Sequence, residues 1–172
     1  MKYRVKSGIC LSAAALFGLS LAGCGGSTSS AISAPGQSAS VVLADRLTLT
    51  LTQDMAQVPV GGAVNFQVNL TNHTSSPITS TYLGLGSIYA DYGTGCVVQD
   101  STGAILGTDG AVFTPPPTVP PSPVTVTLQP GQTLPLAQRY TFTRAGIYTA
   151  KASLLLPSYT SVQTAPLTLT VR

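Results

Sequence analysis

Few side chains in this 172-residue sequence could do chemistry. His73 is the one histidine, and Asp45, Asp54, Asp91, Asp100 and Asp109 are the five acidic residues. A lone imidazole excludes a two-histidine zinc site and makes any Ser-His-Asp arrangement depend on His73 alone. That residue lies in LTNHTSSP, a strand-to-loop turn by composition, where an exposed histidine without a catalytic task is expected. The aspartates are scattered, with no Asp-x-Asp spacing of the kind that gathers calcium. Asp91, Asp100 and Asp109 sit among turn residues, where a carboxylate caps backbone N–H groups. Cys96 heads the apolar triplet Cys96-Val97-Val98 and is expected as a buried small hydrophobe. These residues predict no catalytic set, no cofactor and no metal.

One cysteine does have a chemical context. The chain opens with Lys2, Arg4 and Lys6, continues through an apolar run from Ile9 to Leu21, and closes that run with the small residues Ala22 and Gly23 before Cys24. Basic, apolar and small-residue regions in that order form a secretory signal, and the apolar run falls short of the about 20 residues that an ordinary spanning helix needs. Leu21-Ala22-Gly23-Cys24 resembles the lipobox of bacterial lipoproteins. The resemblance implies diacylglycerol on the Cys24 thiol, cleavage before Cys24, and acylation such as palmitate on the new amino group. Two buried acyl chains give stable anchoring, at roughly 0.8 kcal/mol per methylene. Gly25 follows the cysteine where the resemblance would have Asp retain a protein in the inner membrane, which implies outward sorting in a two-membrane host.

With the leader removed, the charge argument changes. Lys2, Arg4 and Lys6 hold three of the eight basic side chains and none of the five acidic ones, so the remainder of the chain is balanced at zero. No basic stripe remains to neutralise phosphates, which excludes a nucleic-acid role. From Gly25 to about Ser40 the chain is Gly, Ser, Ala and Thr with Pro35, a composition that reads as a tether reaching on the order of 20 to 25 Å.

The rest reads as strands. RLTLTLTQ sets Leu47, Leu49 and Leu51 on one side and Thr48, Thr50 and Thr52 on the other; AVNFQVNLTN does the same with Val64, Phe66, Val68 and Leu70 inward. Further strands are expected at 80–85, 96–100, 124–128, 133–142, 147–156 and 167–171, separated by turn signals such as Ser76-Pro77, Pro130-Gly131 and Ala145-Gly146. No window shows clean helical periodicity. About seven to nine short strands with one apolar face argue for an all-β, Ig-like antiparallel β-sandwich. Tyr148, two residues before Ala150 at the start of a late strand, stands where such a domain places its tyrosine corner. Cys96 is the one cysteine in this region, so the core must hold without a disulfide.

VNFQVNLTNHTSSPIT, CVVQDSTGAIL and VTLQPGQTLPLAQRYTFTRAGIYTAKASL together resemble the BsuPI-type intracellular proteinase inhibitor domain. The matching positions are Asn69 to Pro77, Asp100 to Gly103, Leu128 to Leu134 and Ala145 to Ala150. The resemblance implies an Ig-like sandwich and, as an alternative function, proteinase inhibition. TPPPTVPPSPV, Thr114 to Val124, cannot be a central strand because proline lacks the ladder donor. It reads either as a rigid connector or as a preordered ridge for a partner, with Tyr82, Tyr89 and Tyr92 in the surface or in the core.

The expected organisation is a signal peptide at 1–23, a lipidated tether at 24–40 and one Ig-like domain at 41–172. Its expected place is the cell membrane or outer membrane, anchored through Cys24, with the domain facing periplasm or exterior. The expected role is non-catalytic binding or structure, possible protein partners lying in the envelope.

Overall fold

The computed structural model describes residues 35–43, 46–87, 94–114 and 121–172. Leu21, Ala22, Gly23 and Cys24, the tether before residue 35, Asp45, Asp91, Tyr89, Tyr92 and the central prolines at 115–120 lie outside the described residues.

A strand that is apolar at every second position can bury one face only, so it needs a second apolar layer. Two such strands set the first sheet: β2 (Leu47–Met55) and β4 (Ala63–Asn72). Leu49, Leu51, Val64 and Phe66 have no solvent exposure, whereas Asn65 and Gln67 are exposed. This sheet runs in the order β1 (Pro35–Leu43), β2, β4, β8 (Thr133–Thr141), all antiparallel. The second sheet is built around β9 (Gly146–Leu155). Ser153 pairs with Gly95 of β6 (Gly95–Gln99) on one side and with Gln163 of β10 (Ser161–Gln163) on the other. Further along, β11 (Leu167–Val171) pairs antiparallel with β9 and parallel with the two-residue β3 (Gln57–Val58). The chain therefore leaves the interior of the first sheet at Met55 and joins the edge of the second at Gln57, so that one segment contributes to both sheets. The remaining strands, β5 (Ile78–Leu83) and β7 (Pro123–Leu128), form a two-stranded ribbon.

The fold is the expected all-β, Ig-like antiparallel sandwich, and it has eleven strands among the described residues. The strong alternators lie where their pattern places them. β5 begins two residues earlier than expected, at Ile78, because its pairing with β7 starts at Ile78↔Leu128. β3 and β10 are too short to show a period. β1 runs through residues 35–40, whose composition reads as tether, because an edge strand is held by ladder hydrogen bonds that do not require apolar side chains: pairs from Pro35↔Met55 to Leu43↔Leu47 hold it to β2.

Aromatic rings bridge the two layers. Phe66 on β4 meets Tyr140 on β8 edge-on at 5.5 Å; Tyr140 stacks on Phe142 at 6.5 Å; Phe142 meets Tyr148 on β9 at 5.0 Å. Fully burying one such ring stabilises the fold by roughly 1.5–3 kcal/mol. Both phenols find acceptors: Tyr140 Oη donates to the Cys96 carbonyl at 3.0 Å and Tyr148 Oη donates to the Arg144 carbonyl at 2.8 Å. The second bond is the tyrosine corner that the sequence pattern predicts. Tyr82 is also in the core, 1% exposed, and burial raises its phenol above the ordinary range.

Where β4 gives way to β5, Asn72 holds a corner. Its backbone N–H donates to the Gln132 carbonyl and its carbonyl accepts from Gly131 N–H, which ties it to the β7–β8 turn. Its buried side chain donates to the Leu128 and Ser76 carbonyls, each at 2.9 Å, and accepts from Thr74 N–H and Oγ1. Replacing Asn72 with alanine removes a buried donor to the Leu128 carbonyl and the acceptor of Thr74, while the Ser76 carbonyl keeps the Thr74 hydroxyl, and urea unfolding should show a loss of about 1–3 kcal/mol, against under about 0.5 kcal/mol for Asn69→Ala on the outer face.

Candidate functional site

After β6 the chain makes two tight turns in succession, each built on an aspartate. Asp100 Oδ1 accepts from Thr102 N–H at 2.9 Å, Thr102 Oγ1 at 2.6 Å and Ala104 N–H at 3.0 Å. The Thr102 hydroxyl first, and the backbone N–H groups with it, hold the Asp100 carboxyl below its usual value. In the second turn Asp109 Oδ1 accepts from Ala111 N–H at 3.1 Å, and Gly107 N–H donates to the Ala111 carbonyl. This turn docks on the end of β8 through Thr141 N–H donating to the Thr108 carbonyl. Gly110, at φ 78°, has no room for a side chain, since a Cβ there would meet the Thr141 carbonyl oxygen at 2.2 Å.

Between these turns and the tyrosine corner lies a cleft of about 290 Å³. Leu106, Val112 and the Tyr148 ring form its apolar wall, and Asp100, Asp109 and Arg144 supply its charge. The volume lies just below the usual range for small-molecule pockets. The Tyr148 hydroxyl is already committed to the Arg144 carbonyl, and Asp100 to its own turn. Among the described residues no group of three or more metal-ligating side chains comes together.

The structure also separates the residues that chemistry would need together. His73 is exposed at the Thr71↔Thr133 end of the β4–β8 pairing, and its N–H donates to the Arg46 carbonyl. The cleft lies at the Ala63↔Thr141 end, on the order of 25 Å away along the strands. A Ser-His-Asp arrangement of His73 with Asp100 or Asp109 is excluded by that distance. Cys96 has no solvent exposure, and burial pushes its thiol far above the usual range. Its N–H donates to Gln138 Oε1 at 2.6 Å and its carbonyl accepts from Tyr140, so its surroundings are structural. Gln138 and Arg144 were not legible as site residues, because each acts through a backbone partner distant in the chain or through its own carbonyl. Tyr159, 69% exposed with φ 58° at the β9–β10 turn, likewise has no sequence signal beyond its type.

No protein-family model matches the chain, and no curated protein matches it. Among solved structures, the chain is similar to the CARDB domain of a Pyrococcus furiosus protein in complex with di-metal ions, with 17% identity over 71% of this chain and 84% of that one and a TM-score of 0.41. It is similar to a PapD-like (ASH) domain of human CEP192, with 12% identity over 90% of this chain and 95% of that one and a TM-score of 0.30. A Listeria innocua beta-glucosidase in complex with gluconolactone matches with 10% identity over 79% of this chain but 16% of its own length, at a TM-score of 0.36.

Two outcomes follow from the titrating groups. Asp100 has a folded value below its unfolded one, so its contribution is present above about pH 4 and fades as pH falls through the folded value. Acid titration of stability should therefore be shallower in Asp100→Asn than in the parent. Cys96 should resist maleimide at pH 8 in the folded chain and react once urea unfolds it.

Proposed function

We propose that this protein is a lipid-anchored, non-catalytic binding or structural module of the cell envelope, held to the membrane through Cys24. The observation that carries the reading is Leu21-Ala22-Gly23-Cys24 at the close of an apolar leader, with a Gly/Ser-rich segment and then β1 at Pro35. A sandwich whose cleft carboxylates are occupied by their own turns, and whose histidine stands at the other end, supports binding rather than catalysis. The membrane is the first partner, through the acyl chains; a protein of the envelope is the second. The domain would face the periplasm or the exterior from the cell membrane or outer membrane.

Proteinase inhibition is the second reading. It rests on the BsuPI resemblance, carried by Asn69 to Pro77, Asp100 to Gly103, Leu128 to Leu134 and Ala145 to Ala150. Titrating the chain into a panel of serine proteases separates the readings: loss of activity near one equivalent, with the chain uncleaved, favours inhibition, and unchanged activity favours the anchored binding module.

The anchor is tested by feeding an alkyne analogue of palmitate to cells making the parent chain or Cys24→Ala. Label on the parent and its membrane fraction should be lost in the variant. Equal labelling of the two, or an unlabelled parent with an intact residue 23–24 bond, would sink the anchoring proposal.

A further inference from the structure

The outer edge of the first sheet is unfinished. β1 pairs with β2 on one side, and among the described residues the only backbone hydrogen bond that its other groups make outside the ladder is Arg46 N–H donating to the Leu43 carbonyl. The other long edges are treated differently. On β8, Thr141 N–H donates to the Thr108 carbonyl and Gln138 reaches Gly86 and Cys96; on β6, the Val98 carbonyl accepts from Leu106 N–H. An open edge is ordinarily blunted by lysine, an inward charge, a bulge or proline. From Gly36 to Leu43 the strand has none of the first two and no proline, and its register with β2 runs unbroken by a bulge. Its inward row is incomplete as well. Ala39, Val41 and Leu43 pack against the core but stay partly exposed, and Val42 on the other face is 58% exposed.

We propose that β1 pairs antiparallel with β1 of a second copy across a two-fold axis, joining two four-stranded sheets into one. The strand is complementary to itself: it has no charge to repel its copy, and every second residue offers both a donor and an acceptor along the edge. Side-chain parity selects the register. Inward residues must meet inward residues, because a one-residue slip would turn Ala39, Val41 and Leu43 to solvent. Over Gln37 to Leu43, the stretch whose pairing with β2 is continuous, the arrangement with the longest overlap that satisfies this puts Ser40 opposite Ser40 of the partner, Ala39 opposite Val41, and Ser38 opposite Val42. The inward apolar row then continues from one copy into the other, which covers the partly exposed side chains. A strand from a different protein, or another segment of this chain, could occupy the same edge only by forgoing that self-matching row.

The test uses the full-length chain, produced with its own leader and solubilised in mild detergent. Light scattering should give the protein mass of two chains for the parent and of one for Ser40→Lys, in which two ammonium groups would face each other across the axis. Because Ser40 is exposed, the variant should keep a single cooperative urea transition, with a midpoint lowered only by the loss of the pairing. Directly opposed residues have Cα atoms about 4.5–5.5 Å apart, within disulfide range. Ser40→Cys should therefore cross-link on mild oxidation well above the parent, while Val42→Cys, whose copies would be four residues out of step, should not. A one-chain mass for the parent at all concentrations would overturn the proposal. So would a dimer indifferent to Ser40→Lys, cross-linking at 42 rather than 40, or an edge protected from amide exchange in a monomer.

Discussion

Tyr140 reaches from β8 across the core and donates its hydroxyl to the Cys96 carbonyl on β6, and the rest of the sandwich is arranged around that bond. Two sheets with no disulfide between them are held by apolar contact, which resists separation but gives little direction. A phenol adds direction, because its ring must pack and its hydroxyl must find an acceptor in a medium that punishes an unmade bond. Burial raises the Tyr140 phenol far above its ordinary range, so it stays a donor at any ordinary pH. Phe66, Phe142 and Tyr148 extend the contact along the interior. Gln138, two residues before Tyr140, accepts from Cys96 N–H, so that β8 engages both backbone groups of one residue.

The same economy governs the ends of the strands. Asn72 is buried with its amide fully engaged, and the turns that meet there are bonded to it by side chain and backbone together. Asp100 and Asp109 do comparable work in the turns after β6, in water rather than in the core. These polar residues serve to position backbone. Gln53 shows where the pattern is stretched: its Nε2 donates to the Thr168 carbonyl at 3.0 Å from within the seam between the sheets. Exchanging the amide's oxygen and nitrogen would set oxygen against oxygen, so its orientation is set by β11.

Function on such a scaffold lies outside the core, in what the strands present. The outer face of the first sheet is mainly hydroxyls and amides, with Thr71 and Thr133 bonded at 2.9 Å and Ser40 and Thr50 at 3.1 Å, and with Asp54 and Arg139 toward its other end. Its β1 edge has neither charge nor proline from Gly36 onward. A binding module built this way would recognise partners through backbone pairing and shape more than through charge.

Much of this was legible in the residues. The alternation in 47–53 and 63–72 determines two strands and their buried faces, because a period of two has one physical meaning in a chain without helical rhythm. Tyr148 ahead of Ala150 announced its corner, and Asp100 and Asp109 announced capped turns, since both depend on partners within four residues. What the sequence could not reveal is whatever depends on partners far along the chain: Asn72 meeting Leu128, Gln138 meeting Cys96, the chain crossing between sheets at Ala56, and His73 lying at the opposite end from the cleft carboxylates. The start of β1 belongs there too, because residues 35–38 are held by their neighbour's backbone and carry no apolar rhythm of their own. Those features are decided by tertiary structure, since only the assembled sheets bring the second partner into place.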